Sequence, residues 1–431
     1  MQAQNLGVFV ERLKSSGLIK DLGKADRKFE IAALEKKNRG PIIVKPTNGI
    51  GSVVSNLVSS EDLVSLALSS SREGIHESFL KAVDSPKPVK PAEFPRNLYR
   101  EISSLDIPAV WHFEDDLGYY MTSSIVIAAT PDGRTLNASV HRIRILDDGN
   151  GVIRMVEGRH LHAIWSAWRD LGKDTPVAVV VGVHPAVELA AAYQAPYGRF
   201  EMEIANSLVE GLKFFRSPIY GLPIPEGDFI IEGKISRDRT DLDKMVEMLG
   251  NYDYLRKQPV LNVETVYSKP DPLYWDVLPG GTEHRWLMGF PVEAKLNREV
   301  KSSVPSVKRV YLTDGGSKWL HAVVQIKKRL EGEPVNAIIA AFAAHPSLKL
   351  VIVVDDDIDP ADPVSVEYAL ATRFQASRGL TIIRNAKGSS LDPSSNQELL
   401  LTDKLGIDAT IPLTAERARY SAARIPGEDR L

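Results

Sequence analysis

A chain of 431 residues can hold two or three domains with substantial cores, and 43% hydrophobic with 25% charged residues is an ordinary globular composition. The formal net charge is only −3, so no global field draws nucleic acid or an anionic membrane. Cysteine is absent, which excludes disulfides, thiolate metal sites and a cysteine nucleophile.

The opening stretch, MQAQNLGVFVERLKSSG, reads as an amphipathic helix with Val8, Phe9 and Leu13 on its apolar stripe. It lacks the apolar centre of a signal peptide, and no apolar run approaches the roughly 20 residues that span a bilayer. A cytoplasmic protein with no membrane partner is expected. GPIIVKP is a short strand ended by Pro46, and Asn48-Gly-Ile-Gly-Ser52 is either a hairpin turn, the commoner use, or a phosphate cradle. A helix follows over Ser60–Ser70, capped by Ser59 or Ser60. SPKPVKPAEFP, with four prolines in eleven residues, reads as a linker or an extended crossing.

From Ile107 to about Pro291 the pattern turns predominantly β. GYYMTSSIVIAA, TLNASVHRIRIL, VIRMVEG, PVAVVVGV, DFIIEGKI, VLNVETVYSK and LYWDVL read as strands, interrupted by helices at HLHAIWSAWRDLG and FEMEIANSLVEGL. Strands in this number suggest a barrel-like core. From about Arg298 the chain returns to α/β: a strand at VKRVYLTD, helices through LHAVVQIKKRLEG and PVNAIIAAFAAHP, and a buried strand at LKLVIVV. That strand ends in Asp355-Asp356-Asp357, where carboxylates commonly line a crevice. The tail from TDKLGIDATIPL onward reads as a polar arm for a neighbouring subunit. The expected division is an α/β region over 1–106, a central barrel over 107–297 and an α/β domain over 298–431.

The chemistry concentrates in Thr135–His160. Alternation puts Asn137, Ser139 and His141 on one face of a strand and Val140, Arg142 and Arg144 on the other, with a turn at DDGNG. Arg159 and His160 follow where strand gives way to helix. This grouping suggests a hairpin that holds a phosphorylated cofactor and a divalent metal. Asn137, His160 and Glu201 offer an amide oxygen, an imidazole and a carboxylate, a set that suits Mn²⁺ or Mg²⁺. Spacing alone favours a strand-edge amide, a helix cap and a helix-start acid for the same three residues. An arginine on a central strand needs an anion, and for Arg142 this is either a substrate carboxylate or an acid such as Glu247. Asp241, Asp243 and Glu247 form an acidic stretch; crowded carboxylates can raise one another's pKa, although most such stretches are solvated.

Taken together, Asn137-Ala-Ser-Val-His-Arg142, His160 opening a helix, PVAVVVGVHPAVELAAA, Glu201 in FEMEIANSL, and KLVIVVDDDIDPADPVSVEYALATR followed by DKLGIDAT resemble the UbiD family of decarboxylases over essentially the whole chain. The resemblance implies an N-terminal α/β region, a central flavin-binding split β-barrel and a C-terminal α/β domain, in dimers or hexamers. It implies prenylated FMN as cofactor, supplied by a flavin prenyltransferase, with Mn²⁺ (or Mg²⁺) and K⁺ at its phosphate. By position, Asn137, His160 and Glu201 would hold the metal and Lys404 the phosphate, with Ser139, Arg142 and Arg159 around the cofactor. Arg142 and Glu247 would belong to a Glu-Arg-Glu network that orients a carboxylic acid substrate and returns a proton.

Two departures from the family pattern stand out. The E-G-P-[FY]-G-[ED] signature is not intact. If Glu247 is its last acid, Leu242 occupies the first position, and Asp241 or Asp243 is the substitute; if Glu247 is the first, the second falls near Asn251 or Asp253. Arg159 replaces the usual glutamine before the metal histidine, and an added cation suits an anionic substrate. This compact form is similar to the archaeal branch that converts trans-anhydromevalonate 5-phosphate to isopentenyl phosphate. The alternatives are an aromatic acid decarboxylase of the 4-hydroxybenzoate type and, more remotely, a non-catalytic flavin-binding protein.

Overall fold

The computed structural model describes residues 4–420 and 423. These divide into two compact units, residues 1–291 and 292–431, so the N-terminal region and the barrel belong to one unit. The first begins with α1 (Leu6–Ser15), whose N-terminus is capped by the Asn5 side chain and which buries Leu6, Phe9, Val10 and Leu13. β1 (Lys20–Ala25), α2 (Glu30–Lys37), β2 (Ile42–Pro46) and β3 (Ser52–Ser55) follow. β2 and β3 pair as an antiparallel hairpin around the Asn48–Ser52 stretch. Only glycine fits at Gly51, with φ of 75°, because a Cβ there would lie 2.0 Å from the Pro272 carbonyl oxygen. α3 (Glu61–Leu68), capped by Ser60, and α4 (Ile75–Asp84) complete the N-terminal region.

After β4 (Arg100–Glu101) the barrel is built from β5 (Tyr120–Ala129), β6 (Leu136–Ile145), β7 (Gly151–Ile153), β8 (Thr175–Val181), β11 (Phe229–Asp243) and β12 (Arg256–Ser268). Between its strands lie α5 (His160–Asp170), α6 (Pro185–Ala192), α7 (Glu201–Leu208) and a small ribbon of β9 (Phe214–Arg216) with β10 (Pro223–Pro225). The strand order is β11-β8-β5-β6-β7-β12, and pairing of β11 with β12 closes the ring. Closure leaves no open edge. β13 (Leu273–Trp275) returns to the N-terminal sheet and pairs in parallel with β3. Val126, Val179, Phe229 and Ile231 of the barrel share one core with Ile31, Ile42 and Val44 of the N-terminal region.

α6 is a buried helix of eight residues, with Pro185 in its first turn and a His184 cap. Two local expectations need correction. VIRMVEG contributes only Val152 and Ile153 to a strand, the three-residue β7. The β-rich pattern, expected to run to about Pro291, ends with β13, and Thr282–Ser303 is one helix, α8, that continues through Pro291.

The second unit contains the C-terminal part of α8, β14 (Val307–Leu312), β15 (His321–Ile326), α9 (Glu333–Ala344), β16 (Leu350–Asp355), α10 (Pro363–Arg373), α11 (Ala376–Gly379), β17 (Leu380–Lys387) and β18 (Leu401–Ala409). The sheet order is β14-β15-β16-β18-β17. HAVVQI was expected to be helical and is instead β15, antiparallel to β14 and parallel to β16. Its adjacent valines face opposite sides of the sheet, Val324 into one core and Val323 into the other. DKLGIDA, expected in a polar arm, is the interior strand β18. The remainder of that arm past Tyr420 falls almost entirely outside the described residues.

Candidate active site on both faces of one barrel strand

β6 presents two sets of side chains, as its alternation requires. On the first face, Asn137 Nδ2 donates to Ser139 Oγ at 2.9 Å, Ser139 Oγ meets His141 Nε2 at 2.8 Å, and His141 Nδ1 meets the Arg154 carbonyl at 2.8 Å. Burial holds His141 down at about 4, so the ring is neutral. A carbonyl can only accept, so Nδ1 carries the proton and Nε2 accepts from the serine hydroxyl. Ser139 then accepts from the amide of Asn137. The chain of donors fixes Asn137 with its NH₂ committed and its Oδ1 unspent among the described residues.

Glu201 opens α7 and is 2% exposed. Its Oε2 accepts the backbone N–H of Ala138 at 2.9 Å, which sets the carboxyl beside Asn137. Burial pushes it up to about 7, and no lysine or arginine pairs with it among the described residues. His160 opens α5, its ring edge-on to Tyr197 at 5.3 Å, four residues before Glu201. Burial and the neighbouring Arg159 hold His160 below its usual value, again favouring the neutral ligand form. Both α5 and α7 pack against β6. An unspent amide oxygen, a neutral imidazole and a buried carboxyl without a counter-charge have the donor chemistry of a divalent cation site.

The opposite face carries Arg142 and Arg144, each with an acid, and Arg154, the residue after β7, has one too. Arg142 Nη2 lies 3.2 Å from Glu247 Oε1, and Nη1 donates to the Val246 carbonyl. Arg144 takes Asp243 at 3.7 Å and Asp241 at 3.6 Å and donates to the Leu242 carbonyl at 2.7 Å. Arg154 takes Asp253 at 3.0 Å, which Arg256 shares at 2.9 Å. Asp243 also receives the Tyr120 hydroxyl at 2.7 Å, and burial raises its pKa despite these partners. Asp243, the substitute acid, is thus bound to Arg144 and Tyr120, and Asp253 to Arg154 and Arg256. Among the described residues, Arg142 and Glu247 form salt bridges only with each other, at 14% and 23% side-chain exposure.

Glu247 sits in the connection between β11 and β12. Its N–H donates to Asn251 O and its carbonyl accepts from Gly250 N, both at 2.8 Å. Two further groups face Arg142 electrostatically. Asp116 is 7% exposed and raised by burial, with His112 and Arg142 opposing the rise. His284 of α8 accepts the Gly280 N–H on Nδ1 at 3.1 Å, and burial, reinforced by Arg142, holds it at about 3. Its proton therefore rests on Nε2. Neither residue lies in a recognisable motif, and their distance along the chain left no sequence signal.

Two expectations in the second unit change. Lys404, expected at a cofactor phosphate, lies in β18 at 4% exposure and donates to the carbonyls of Pro346 and Leu348, both at 2.6 Å. Burial pulls it down to about 8. Its ammonium caps a backbone turn inside the second unit. Asp355 and Asp357, expected to line a crevice, both bind Arg373 at 2.7 Å. Arg159 remains exposed and forms no salt bridge among the described residues.

Comparison with known proteins identifies the family. Residues 84–282 match the UbiD model, the 3-octaprenyl-4-hydroxybenzoate carboxy-lyase Rift-related domain, and residues 285–409 match its C-terminal domain. The anhydromevalonate phosphate decarboxylase of Methanocaldococcus jannaschii is 44% identical over 417 residues, 94% of this chain and 97% of that one. Its namesake from Aeropyrum pernix is 40% identical over 414 residues, covering 93% and 92%. The UbiD-class enzyme HmfF from Pelotomaculum thermopropionicum, solved with FMN, superposes with a TM-score of 0.95 at 34% identity, over 99% of each chain. With two family models side by side along most of its length and relatives this similar from end to end, the chain belongs to the UbiD family.

Proposed function

We propose that this chain is a prenylated-FMN-dependent decarboxylase that converts trans-anhydromevalonate 5-phosphate to isopentenyl phosphate and CO₂. The observation that carries the reading is the partly exposed Arg142–Glu247 pair at 3.2 Å. A guanidinium grips a carboxylate through two parallel N–H bonds, and a glutamate beside it can deliver the proton that takes the place of the departing CO₂. Prenylated FMN, when bound, supplies the electron sink for the carbon–carbon cleavage. Asn137, His160 and Glu201 would hold Mn²⁺ (or Mg²⁺) at the cofactor phosphate, with K⁺ alongside, and Ser139 would orient Asn137. Exposed Arg159 would meet a phosphate group. The phosphorylated substrate is supported by the names of the relatives that are 44% and 40% identical. The reading includes a flavin prenyltransferase as cofactor supplier, a homodimer or homohexamer, and a cytoplasmic location.

The test is CO₂ release by protein co-expressed with a flavin prenyltransferase and reconstituted with Mn²⁺. Trans-anhydromevalonate 5-phosphate and 4-hydroxybenzoate are offered separately. Release from the phosphate is expected. Release only from the aromatic acid replaces the substrate, and silence on both with flavin and metal bound overturns the enzymatic reading.

A further inference from the structure

Away from β6, the first unit encloses a cluster that the decarboxylation chemistry does not use. Glu35 of α2, His112 and Asp276, the residue after β13, are 3%, 6% and 0% exposed. One ligand atom from each lies within 4.8 Å of the other two. His112 Nε2 is 2.7 Å from Asp276 Oδ2, and Asp276 Oδ1 accepts the Thr122 hydroxyl at 2.9 Å. Both carboxylate oxygens of Glu35 and Nδ1 of His112 are buried without a hydrogen-bond partner. Unspent electron pairs in a dry interior are costly, and three on one cluster call for something to receive them.

The surrounding charge has one sign. Glu283 and Glu188 are also buried, at 1% and 0%, and with Glu35 and Asp276 make four carboxyl groups in this part of the core. Among the described residues, none of the four pairs with a lysine or arginine. Glu283 is satisfied by the N–H groups of Asn56 and Val58, at 2.7 and 3.0 Å, and so is not available as a ligand. Burial, then Asp276 and Glu283, push Glu35 well up. A cation in the cluster would let Glu35 ionise in place of keeping its proton.

We propose that Glu35, His112 and Asp276 bind a divalent transition-metal ion, as a second site that shares no residue with Asn137, His160 and Glu201. One imidazole with two carboxylates suits Mn²⁺, Fe²⁺ or Zn²⁺ better than the all-oxygen shells of Ca²⁺ and Mg²⁺. Ligands at about 2.1 Å from one ion stand roughly 3 to 4 Å apart; the three ligand atoms already lie within 4.8 Å of one another, and an ion would take the place of the proton now shared by His112 and Asp276 at 2.7 Å. The Thr122 hydroxyl orients Asp276 from behind, as partners of metal ligands commonly do.

The role of the ion is structural and directed at the active site. Asp276 N–H donates to Val54 O at 2.9 Å, and Val277 N–H donates to Thr122 Oγ1 at 2.8 Å. Thr122 and Ser123 are the two β5 residues that oppose the single residue Arg142 on β6, a β-bulge. The ion would therefore fasten the N-terminal sheet to the bulge that faces Arg142. His112 adds a second link, because its backbone N–H donates to Asp116 at 3.3 Å.

Elemental analysis of the full chain tests this. The His160→Ala, Glu201→Gln double variant, which disables the first site, is dialysed against a chelator and analysed for metals. About one transition-metal ion per chain is expected, and a folded, metal-free double variant overturns the proposal. Adding Glu35→Gln should remove the ion and lower Tm, whereas retention of the ion by that folded triple variant also overturns it. If the triple variant fails to fold, Co²⁺ added to the double variant decides: visible absorption bands of a ligated ion are expected, and their absence rejects the site.

Discussion

Glu247 and Asp243 bring the same functional group to the same end of β11, and their neighbours give them different work. Asp243 is bound by Tyr120 and Arg144 and is 3% exposed, so it positions the strand end. Among the described residues, the Glu247 carboxylate pairs with Arg142 alone and stays partly open. Replacing Glu247 with Gln preserves shape and removes the acid. Turnover should fall about 10²- to 10⁴-fold, as for loss of a general acid, with flavin absorbance and metal content unchanged. His160→Ala should behave in the opposite way, losing metal and flavin together while the far-ultraviolet circular dichroism stays native. Equal loss of flavin in both variants would contradict the separation of roles across β6.

At the scale of elements, the active-site arginine is set by a strand irregularity and a close loop contact. The β5 bulge opposite Arg142 is held by Thr122 to Asp276 and by the Ser123 hydroxyl to the Trp275 carbonyl. The turn that carries Glu247 rests on Gly280, whose φ is 71°. A Cβ at Gly280 would lie 2.8 Å from Gly250 Cα and 3.2 Å from the Glu247 carbonyl. Gly280→Ala should therefore cost about 1–3 kcal/mol through the positive φ and the contact. Because the displaced atoms belong to the Glu247 turn, kcat should fall by at least roughly tenfold. Steady-state kinetics beside a thermal melt check both, and an unchanged kcat would detach that turn from the chemistry.

For the molecule as a whole, buried ionisable groups set opposing responses to pH. His345 of the second unit meets the Trp319 carbonyl through Nε2 at 3.1 Å and is held at about 4 by burial. An imidazole depressed in the folded state contributes its full stability above the unfolded value of about 6.5. That contribution is lost as pH falls toward 4, on the order of 3 kcal/mol. His345→Gln keeps a donor for Trp319 and should flatten the acid side of the stability profile in urea melts. In the first unit, Glu201 and Glu283, both raised to about 7 chiefly by burial, act in the other direction. They stabilise the metal-free fold below about 4.5 and lose that contribution as pH rises to 7. Mn²⁺ should oppose the loss at Glu201 by supplying a charge for the ionised form.

The alternation of Asn137, Ser139 and His141 against Arg142 and Arg144 was legible because side chains on a strand follow a period of two, set by the local backbone. The cap at Ser60, the DDGNG turn and the strand composition of the barrel were legible for the same reason. Local pattern could not distinguish β15 from a helix, since an apolar run buried on both faces has no periodicity to read. Nor could it assign the acids: Asp243 went to Arg144 and Glu247 to Arg142 only once β11 closed on β12. Asp116 and His284 reach Arg142, and Glu35 reaches His112 and Asp276, across long stretches of chain brought together by barrel closure and by β13 returning to β3. Lys404 carried the right charge, but its place in β18 committed it to the carbonyls of Pro346 and Leu348. The sequence by itself determined which residues could act and which face of each strand they share, because both depend on neighbours in the chain. Only the tertiary structure decided which of them meet, because hydrogen bonding and desolvation depend on neighbours in space.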